Sequence, residues 1–440
     1  MSAGCVRHTS KMRPNVLLVI LDSVRAKNAS VYGHYNETTP FLKEFAQRST
    51  VYEQAHSPNI HSVASHASIF TGYHTLEHRL FEHESEIEDE HTIWEHLSQR
   101  HGYETGLFTP NPVLTQSSNL HECFDYTVGT DVQYPMSANS LAEESGKTYV
   151  NGITEWVTNQ ERPWAGCVNL IDAHYPYRST RERALWETDG LKKLQQEIDQ
   201  IGTEFYLGER PFWQLEALEK LYDEAIRELD YQVQRLVDSL KQQGQYEDTL
   251  IVITSDHGEA FGETSRVSPD TRLVSHSAGL HEVLTHVPLL VKFPGQTDPK
   301  TVDEVVSLAQ FPHVVEQILN DDGHYGGFTD SETVTTYTER FKNPESTFGK
   351  DQFYHGDIEG PWLAYYCDTN PVMKCILHHG EVARIEVQDA QNSYRVGSGS
   401  EAVFEEIFDG YQNEYVAKGK ENKLSLDAER RLKYLGYANY

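Results

Sequence analysis

The alternation of apolar and polar positions divides the chain into two regimes. Up to about residue 330, short continuous apolar runs alternate with longer amphipathic stretches. Asn15–Leu21 (N-V-L-L-V-I-L) and Leu250–Ile253 (L-I-V-I) are the purest runs. Runs this short, bounded by polar and glycine residues, read as strands buried on both faces, as in a parallel sheet. Val51–Ser57, Gly102–Phe108, Trp164–Ile171 and Val287–Phe293 read as further strands. Pro288 assigns the last of these to a sheet edge or a strand start, because proline donates no ladder hydrogen bond.

Between the runs lie helices. Tyr222, Ile226, Leu229, Val233, Leu236 and Leu240 recur at spacings of four and three, one apolar stripe with charge on the opposite face. This long helix feeds through Gly244 into the Leu250 run as an αβ unit. Shorter helices are expected at Phe41–Gln47 behind Pro40, at Ser62–Thr71 closed by Gly72, at Thr92–Gln99 and at Val314–Leu319. From about Thr333 the regime changes to short strands, Trp362–Tyr366, Lys374–Leu377 and Ala383–Val387, with His379-Gly380 as a turn and a closing helix near Leu426–Tyr434. The pattern predicts an α/β fold: a large, mostly parallel sheet sandwiched by helices, with a smaller C-terminal α+β domain. The boundaries read as a tail at 1–13, a main domain at 14–325 and a small domain at 326–440.

Charge narrows the partners. With 67 Asp and Glu against 37 Lys and Arg, the formal charge is −30. Such a chain repels nucleic acid and anionic membrane surfaces. The acid is spread along the sequence, which suits a halophilic protein, since high salt screens the self-repulsion. An acidic protein of moderate salt is the alternative. No apolar run is long enough to span a bilayer, and Met1–Pro14 has no apolar stretch of a secretory signal. The five cysteines are scattered without metal spacing. Cys367 and Cys375 sit where a hairpin would bring them close, but a reduced, cytoplasmic chain is the expectation.

The chemistry gathers where strands end, which is where open α/β sheets bind ligands. Asn15–Leu21 runs into Asp22-Ser23, and the Leu250 run into Thr254-Ser255-Asp256-His257-Gly258-Glu259. Two buried strands far apart in sequence, each ending in aspartate, define one divalent-cation site built from both ends of the main domain. Each aspartate alone equally serves as a helix cap. Ser62 is the candidate nucleophile, a hydroxyl at the positive end of a helix dipole, although a serine before an amphipathic run also caps it. His174, in D-A-H-Y-P, and His276 are candidates for contacting the anion and protonating a leaving oxygen. His66, one turn after Ser62 on the same face, is a candidate for holding the nucleophile or an anion, and Asn111 for hydrogen-bonding a tetrahedral oxyanion, although in N-P it equally serves as a turn residue. With 22 histidines, any single one is more often packed or exposed than functional.

Taken together these segments resemble a known family. N-V-L-L-V-I-L-D-S-V-R-A, T-P-F-L-K-E-F-A, S-H-A-S-I-F-T-G, I-D-A-H-Y-P-Y, T-L-I-V-I-T-S-D-H-G-E and H-V-P-L-L-V-K-F-P-G occur in the order found in sulfatases of the alkaline phosphatase superfamily, over roughly residues 14–325. The resemblance implies a metal held by Asp22, Asp256, His257 and the nucleophile Ser62. Ser23 stands where most sulfatases have a second early aspartate, which counts against a full calcium site. His257 in place of asparagine leans towards manganese or zinc.

The sequence also departs from the family. Sulfatases that convert a Cys or Ser to formylglycine follow it with any residue, Pro, any residue and Arg. Here Ser62-Val63-Ala64-Ser65-His66 lacks both Pro and Arg. The implied nucleophile is therefore unmodified serine, as in the phosphoglycerol- and phosphoethanolamine-transferring branches. Thr109-Pro110-Asn111-Pro112 stands in place of the Lys-Trp-His loop. The expected function is hydrolysis of a small sulfate or phosphate ester, free or on a glycan or lipid, with one divalent ion (Ca, Mn or Zn). Transfer to an alcohol, or a non-catalytic anion-binding descendant, are the alternatives.

Overall fold

The structure, a computed structural model, describes residues 13–81, 85–129, 146–179, 184–320, 325–329, 333–339, 357–412 and 416–419. The closing helix expected near Leu426 lies outside them.

The strands are β1 (Asn15–Leu21), β2 (Thr50–His56), β3 (Ser85–Ile87), β4 (Glu104–Phe108), β5 (Tyr126–Val128), β6 (Trp164–Leu170), β7 (Thr249–Thr254), β8 (Ala260–Thr264), β9 (Arg272–Ser275), β10 (Leu289–Lys292), β11 (Lys300–Ser307), β12 (Val334–Thr338), β13 (Trp362–Cys367), β14 (Val372–His378), β15 (Glu381–Val387), β16 (Ser393–Ser398) and β17 (Ala417–Gly419). Eight of them form one sheet in the order β11-β2-β10-β7-β1-β6-β4-β5. Within it β10 alone runs antiparallel, to both β7 and β2. Pro288 sits just before its first residue, so the strand lies inside the sheet and the proline still removes no ladder bond.

Both faces of the central strands are buried, as their continuous apolar runs require. Leu17, Val19 and Leu21 of β1, with Ile251 and Ile253 of β7, pack under the long helix Phe212–Gln242. Val16, Leu18 and Ile20, with Leu250 and Val252, face the helices Ser62–Thr71, Ile93–His101 and Phe311–Asn320. The long helix is less two-faced than its stripe implies, because Asp223, Glu224, Glu228 and Asp230 are buried too. Each has polar partners. Asp230, for one, accepts the Phe41 and Leu42 N–H groups at 2.8 and 3.0 Å, capping the helix Pro40–Phe45 that follows the early loop.

Strands β12 to β16 form a five-stranded antiparallel meander. Trp362, Ala364, Tyr366, Ile376 and Ile385 on one face share a core with Ile60, Leu280, Val283 and Leu284 of the main body. The other face is covered by the helix Ala402–Asp409 through Phe404 and Phe408. Short β17 returns to pair with β3. Cys367 and Cys375 are both free thiols, and Cys367 lies opposite Met373 rather than Cys375. No described helix is long and apolar enough to cross a membrane.

Candidate active site

The parallel register brings the chemistry to one edge. Ile20 of β1 pairs with Thr254 of β7, so Asp22 and Asp256 each lie two residues beyond a paired position. Leu21 pairs with Leu170 of β6, ahead of Asp172 and His174, and Phe108 of β4 pairs with Val168, ahead of Thr109 and Asn111. The loop after β2 leads into the helix Ser62–Thr71 at the same edge.

Two buried carboxylates meet there. Asp22, Asp256, His257 and Ser62 are all buried. Ser23 bridges the pair: its N–H donates to Asp256 Oδ1 at 3.1 Å and its hydroxyl to Asp22 Oδ1 at 3.0 Å. It does so from a left-handed backbone (φ 64), a conformation that costs a non-glycine residue and that clusters at functional sites. Asn111 and Asn169 donate to Asp22 Oδ2 at 2.8 and 3.3 Å. Burial, followed by the nearby Asp256, raises the Asp22 carboxyl well above its ordinary value. Asp256 is held down: burial acts against it, but the His257 and His66 rings and the Ser23 N–H outweigh that.

The histidines differ in what they can do. His257 Nδ1 lies 3.0 Å from the Gly258 carbonyl, which only accepts, so Nδ1 carries the proton and Nε2 the lone pair. That lone pair faces Asp256 Oδ2 at 3.4 Å and Ser62 Oγ at 3.2 Å. His66 donates Nδ1–H to the Ser62 carbonyl at 2.7 Å and lies 3.6 Å from Asp256 Oδ2, so it braces the helix turn and the carboxylate. His174 donates Nδ1–H to the Tyr175 carbonyl at 2.7 Å, and burial pushes its pKa down to about 3. His276 differs, with Nδ1 2.8 Å from the buried carboxylate of Glu259. Its ring centroid is 4.4 Å from that of His257 and 5.0 Å from that of His174.

All eight residues singled out from the sequence therefore gather around this edge, although two face inward. Asn111 directs its amide at Asp22 and its carbonyl at the Val113 N–H, and His66 serves the helix. Sequence reasoning passed over Glu259, Tyr177, Asn169 and Ser65. Tyr177 donates its hydroxyl to Glu259 Oε1 at 3.0 Å, and Ser65 donates to the Asp256 carbonyl at 2.7 Å, tying the helix to the strand end. Asn169 did leave a signal, as the lone polar residue inside an apolar strand.

The donor set fits a divalent cation. Ligand atoms of Asp22, Asp256 and His257 lie within 4.8 Å of one another. Asp256 Oδ2 is buried without a hydrogen-bond partner among the described residues, directly beside the His257 lone pair. Two hard oxygens and one imidazole suit manganese or zinc better than calcium, which takes oxygen ligands almost alone.

A large sheet sandwiched by helices, with polar side chains gathered at one strand edge, is an alkaline phosphatase-like fold. The sulfatase family model matches residues 14–320, and the chain belongs to that family. Arylsulfatase K of Gallus gallus is 24% identical over 349 residues, 69% of this chain and 62% of the relative. The chain thus spans about three-fifths of the length of that relative. Among solved structures, the phosphonate monoester hydrolase of Agrobacterium radiobacter superposes with a TM-score of 0.60 at 17% identity, covering 91% of this chain and 93% of the other. A protein of the alkaline phosphatase superfamily from Vibrio parahaemolyticus superposes with a TM-score of 0.59 at 15% identity, covering 93% and 89%. These likenesses show the shared fold.

Proposed function

We propose that the chain is a metal-dependent hydrolase of phosphate or sulfate esters in which Ser62 attacks as an unmodified serine. The observation that carries this reading is the position of Ser62 Oγ, at the first residue of its helix and 3.2 Å from the lone pair of His257, within the Asp22–Asp256 cluster. Asp22, Asp256 and His257, with Ser62, would hold the ion. A divalent cation there would lower the serine pKa and neutralise charge on the tetrahedral anion.

Ser62, its hydroxyl proton released to solvent, attacks the phosphorus or sulfur in line through Oγ, and the bond to the leaving oxygen breaks on the opposite side. The first-turn N–H groups of the helix, which no side chain caps, stabilise the anion. His276 protonates the leaving alkoxide through Nε2, while Glu259 fixes its ring through Nδ1. His174, neutral by burial, accepts rather than donates at Nε2. Water then attacks the covalent ester, the bond to Ser62 Oγ breaks, and the hydroxyl is restored. A serine sulfate lacks the easy breakdown route of a formylglycine hydrate, which favours phosphorus over sulfur. On this reading residues 14–325 carry the chemistry and 326–440 support it. In support, Thr336 of β12 donates to the Ser57 carbonyl at 2.7 Å, in the loop that leads to Ser62.

The test compares wild type and Ser62→Ala on aryl phosphate mono- and diesters, aryl phosphonates and aryl sulfates, with Mn, Zn or Ca restored after chelation. Metal-dependent turnover is expected to fall by several orders of magnitude in Ser62→Ala. Unchanged turnover overturns the mechanism, and the preferred ester sets the reaction class. The unmodified serine also permits transfer to an alcohol in place of water. That reaction appears as a new ester when alcohols are added.

A further inference from the structure

A second group of metal-ligating side chains shares no residue with the candidate active site. Strands β14 and β15 are joined by His379-Gly380, both with positive φ (47 and 77). The tight turn sets His378 and His379 side by side, and both face Asp357 on the segment that enters the C-terminal sheet. His379 Nε2 lies 3.4 Å from Asp357 Oδ1, and His378 Nδ1 lies 3.6 Å from Asp357 Oδ2.

His378 is held in the tautomer of a ligand. Its ring stacks flat on Trp362, with centroids 3.3 Å apart and planes 7° apart. Nε2 is 2.6 Å from the Glu359 carbonyl, which can only accept, so Nε2 carries the proton. The lone pair is therefore on Nδ1. That atom is buried, has no hydrogen-bond partner among the described residues, and faces the Asp357 carboxylate. A histidine that donates one ring N–H to a backbone carbonyl and presents the other nitrogen to the site is the usual support of a metal ligand.

We propose that Asp357, His378 and His379 form a second metal site that takes a borderline transition ion, zinc above all. Two imidazoles and one carboxylate suit zinc and disfavour calcium or magnesium. Zinc bonds of about 2.0–2.1 Å in tetrahedral geometry set donor atoms roughly 3.3 Å apart, and each imidazole here lies 3.4–3.6 Å from an oxygen of Asp357, His379 from Oδ1 and His378 from Oδ2. All three donors already lie within 4.8 Å of one another. Asp357 and His379 are about half exposed, at 48% and 45%, so the remaining coordination positions open to water. The Asp357 N–H also donates to Thr271 Oγ1 at 2.7 Å, just before β9. An ion on Asp357 would thus cross-link the β8–β9 hairpin, which ends beside His276, to the tip of the β14–β15 hairpin. Its role is structural rather than catalytic.

The test uses the full chain, stripped with a chelator and titrated with zinc against a chromophoric competitor, then with cobalt followed by visible absorption. Wild type is compared with Asp357→Asn and His379→Gln, two exposed positions that leave the core intact, and with Asp22→Asn. Wild type is expected to bind one zinc equivalent more than either Asp357→Asn or His379→Gln, or to bind that equivalent at least about 100-fold more tightly. Added zinc should raise the melting temperature of wild type more than that of either variant. Metal-restored esterase activity should be the same in all three. Equal zinc equivalents and affinities in wild type and both variants would overturn the site. The comparison is a difference, so it holds whether or not Asp22→Asn loses an ion of its own; loss in Asp22→Asn reports separately on the active-site cluster.

Discussion

Glu259 is the residue whose role is least evident from its motif and most evident from its contacts. Its carboxylate is buried between the Tyr177 hydroxyl and His276 Nδ1. On the proposed mechanism it acts through His276, whose tautomer and aim its carboxylate sets, so it is a positioning residue. Removing the carboxylate should matter in proportion to how badly the leaving group needs a proton. Glu259→Gln is expected to lower kcat by about 10- to 100-fold on a phenyl ester and much less on a 4-nitrophenyl ester. Parallel kinetics on the two esters check this. An equal loss on both would make Glu259 merely structural.

At the scale of elements, the C-terminal sheet is pinned to the main body by a buried ion pair. Lys374 of β14 donates to Glu282 Oε1 at 2.7 Å and to Thr285 Oγ1 at 2.8 Å, on the short helix Glu282–Thr285. Its ammonium also lies 4.8 Å from the centre of the Tyr366 ring. Burial lowers the lysine pKa, and Glu282 only partly restores it. Deleting one partner leaves the other charge buried and unpaired, at a cost of about 3–5 kcal/mol. Lys374→Met should therefore lower the melting temperature sharply, while Lys374→Met with Glu282→Gln should recover most of the loss. Thermal melts of the single and double variants decide it. The same segment positions the active-site turn, because Gly258 runs so close to the Val283 carbonyl that a Cβ there would sit 2.0 Å from its oxygen. That is why the strand-end motif requires glycine after Asp256-His257.

For the whole molecule, pH and salt act through different charges. Burial holds His74, His78 and His281 at about 3, and each accepts a backbone N–H at Nδ1 that protonation would displace. Burial lowers His56, His66 and His286 as well. In the unfolded chain these rings take up a proton near pH 6.5, whereas the folded chain does not. Stability is thus present above about 6.5 and lost as pH falls towards 3, by up to about 1.4 kcal/mol per pH unit for each ring. Asp172 and Asp230, raised by burial to about 6 and about 7, act in the opposite sense but are outnumbered. Melting temperature should decline steadily below pH 6.5, as a circular dichroism series would show. Salt acts on the surface: a formal charge of −30 repels itself over a Debye length of about 10 Å at 0.1 M and about 3 Å at 1 M. Raising KCl across that range should raise the melting temperature, and no rise would sink the halophilic reading.

By itself the sequence determined the elements and the edge where chemistry gathers. Continuous apolar runs such as Asn15–Leu21 have one stable solution, a strand buried on both faces, and strands of that kind deliver Asp22 and Asp256 to the same end of a parallel sheet. The family-like order of segments pointed to Ser62 and His257, the strand end D-A-H-Y-P to His174, and His276 was one candidate among 22 histidines; the four meet at that edge. Only the tertiary structure decided what each polar group faces. In the sequence Asn111 reads equally as an anion contact or a turn residue, and His66 as a holder of the nucleophile or of an anion; their hydrogen bonds turn inward, Asn111 to Asp22 and the Val113 N–H, His66 to the Ser62 carbonyl. Asn169 meets Asp22 across 147 residues, Glu259 meets Tyr177 across 82 and His276 across 17, and the buried acid of the long helix likewise gains its partners from distant segments. The pairing of Asp357 with His378 and His379 depends on a turn closing against a separate segment. Apolar periodicity is local and fixes the scaffold; a hydrogen bond or a ligand set is a meeting in space, which only the folded chain defines.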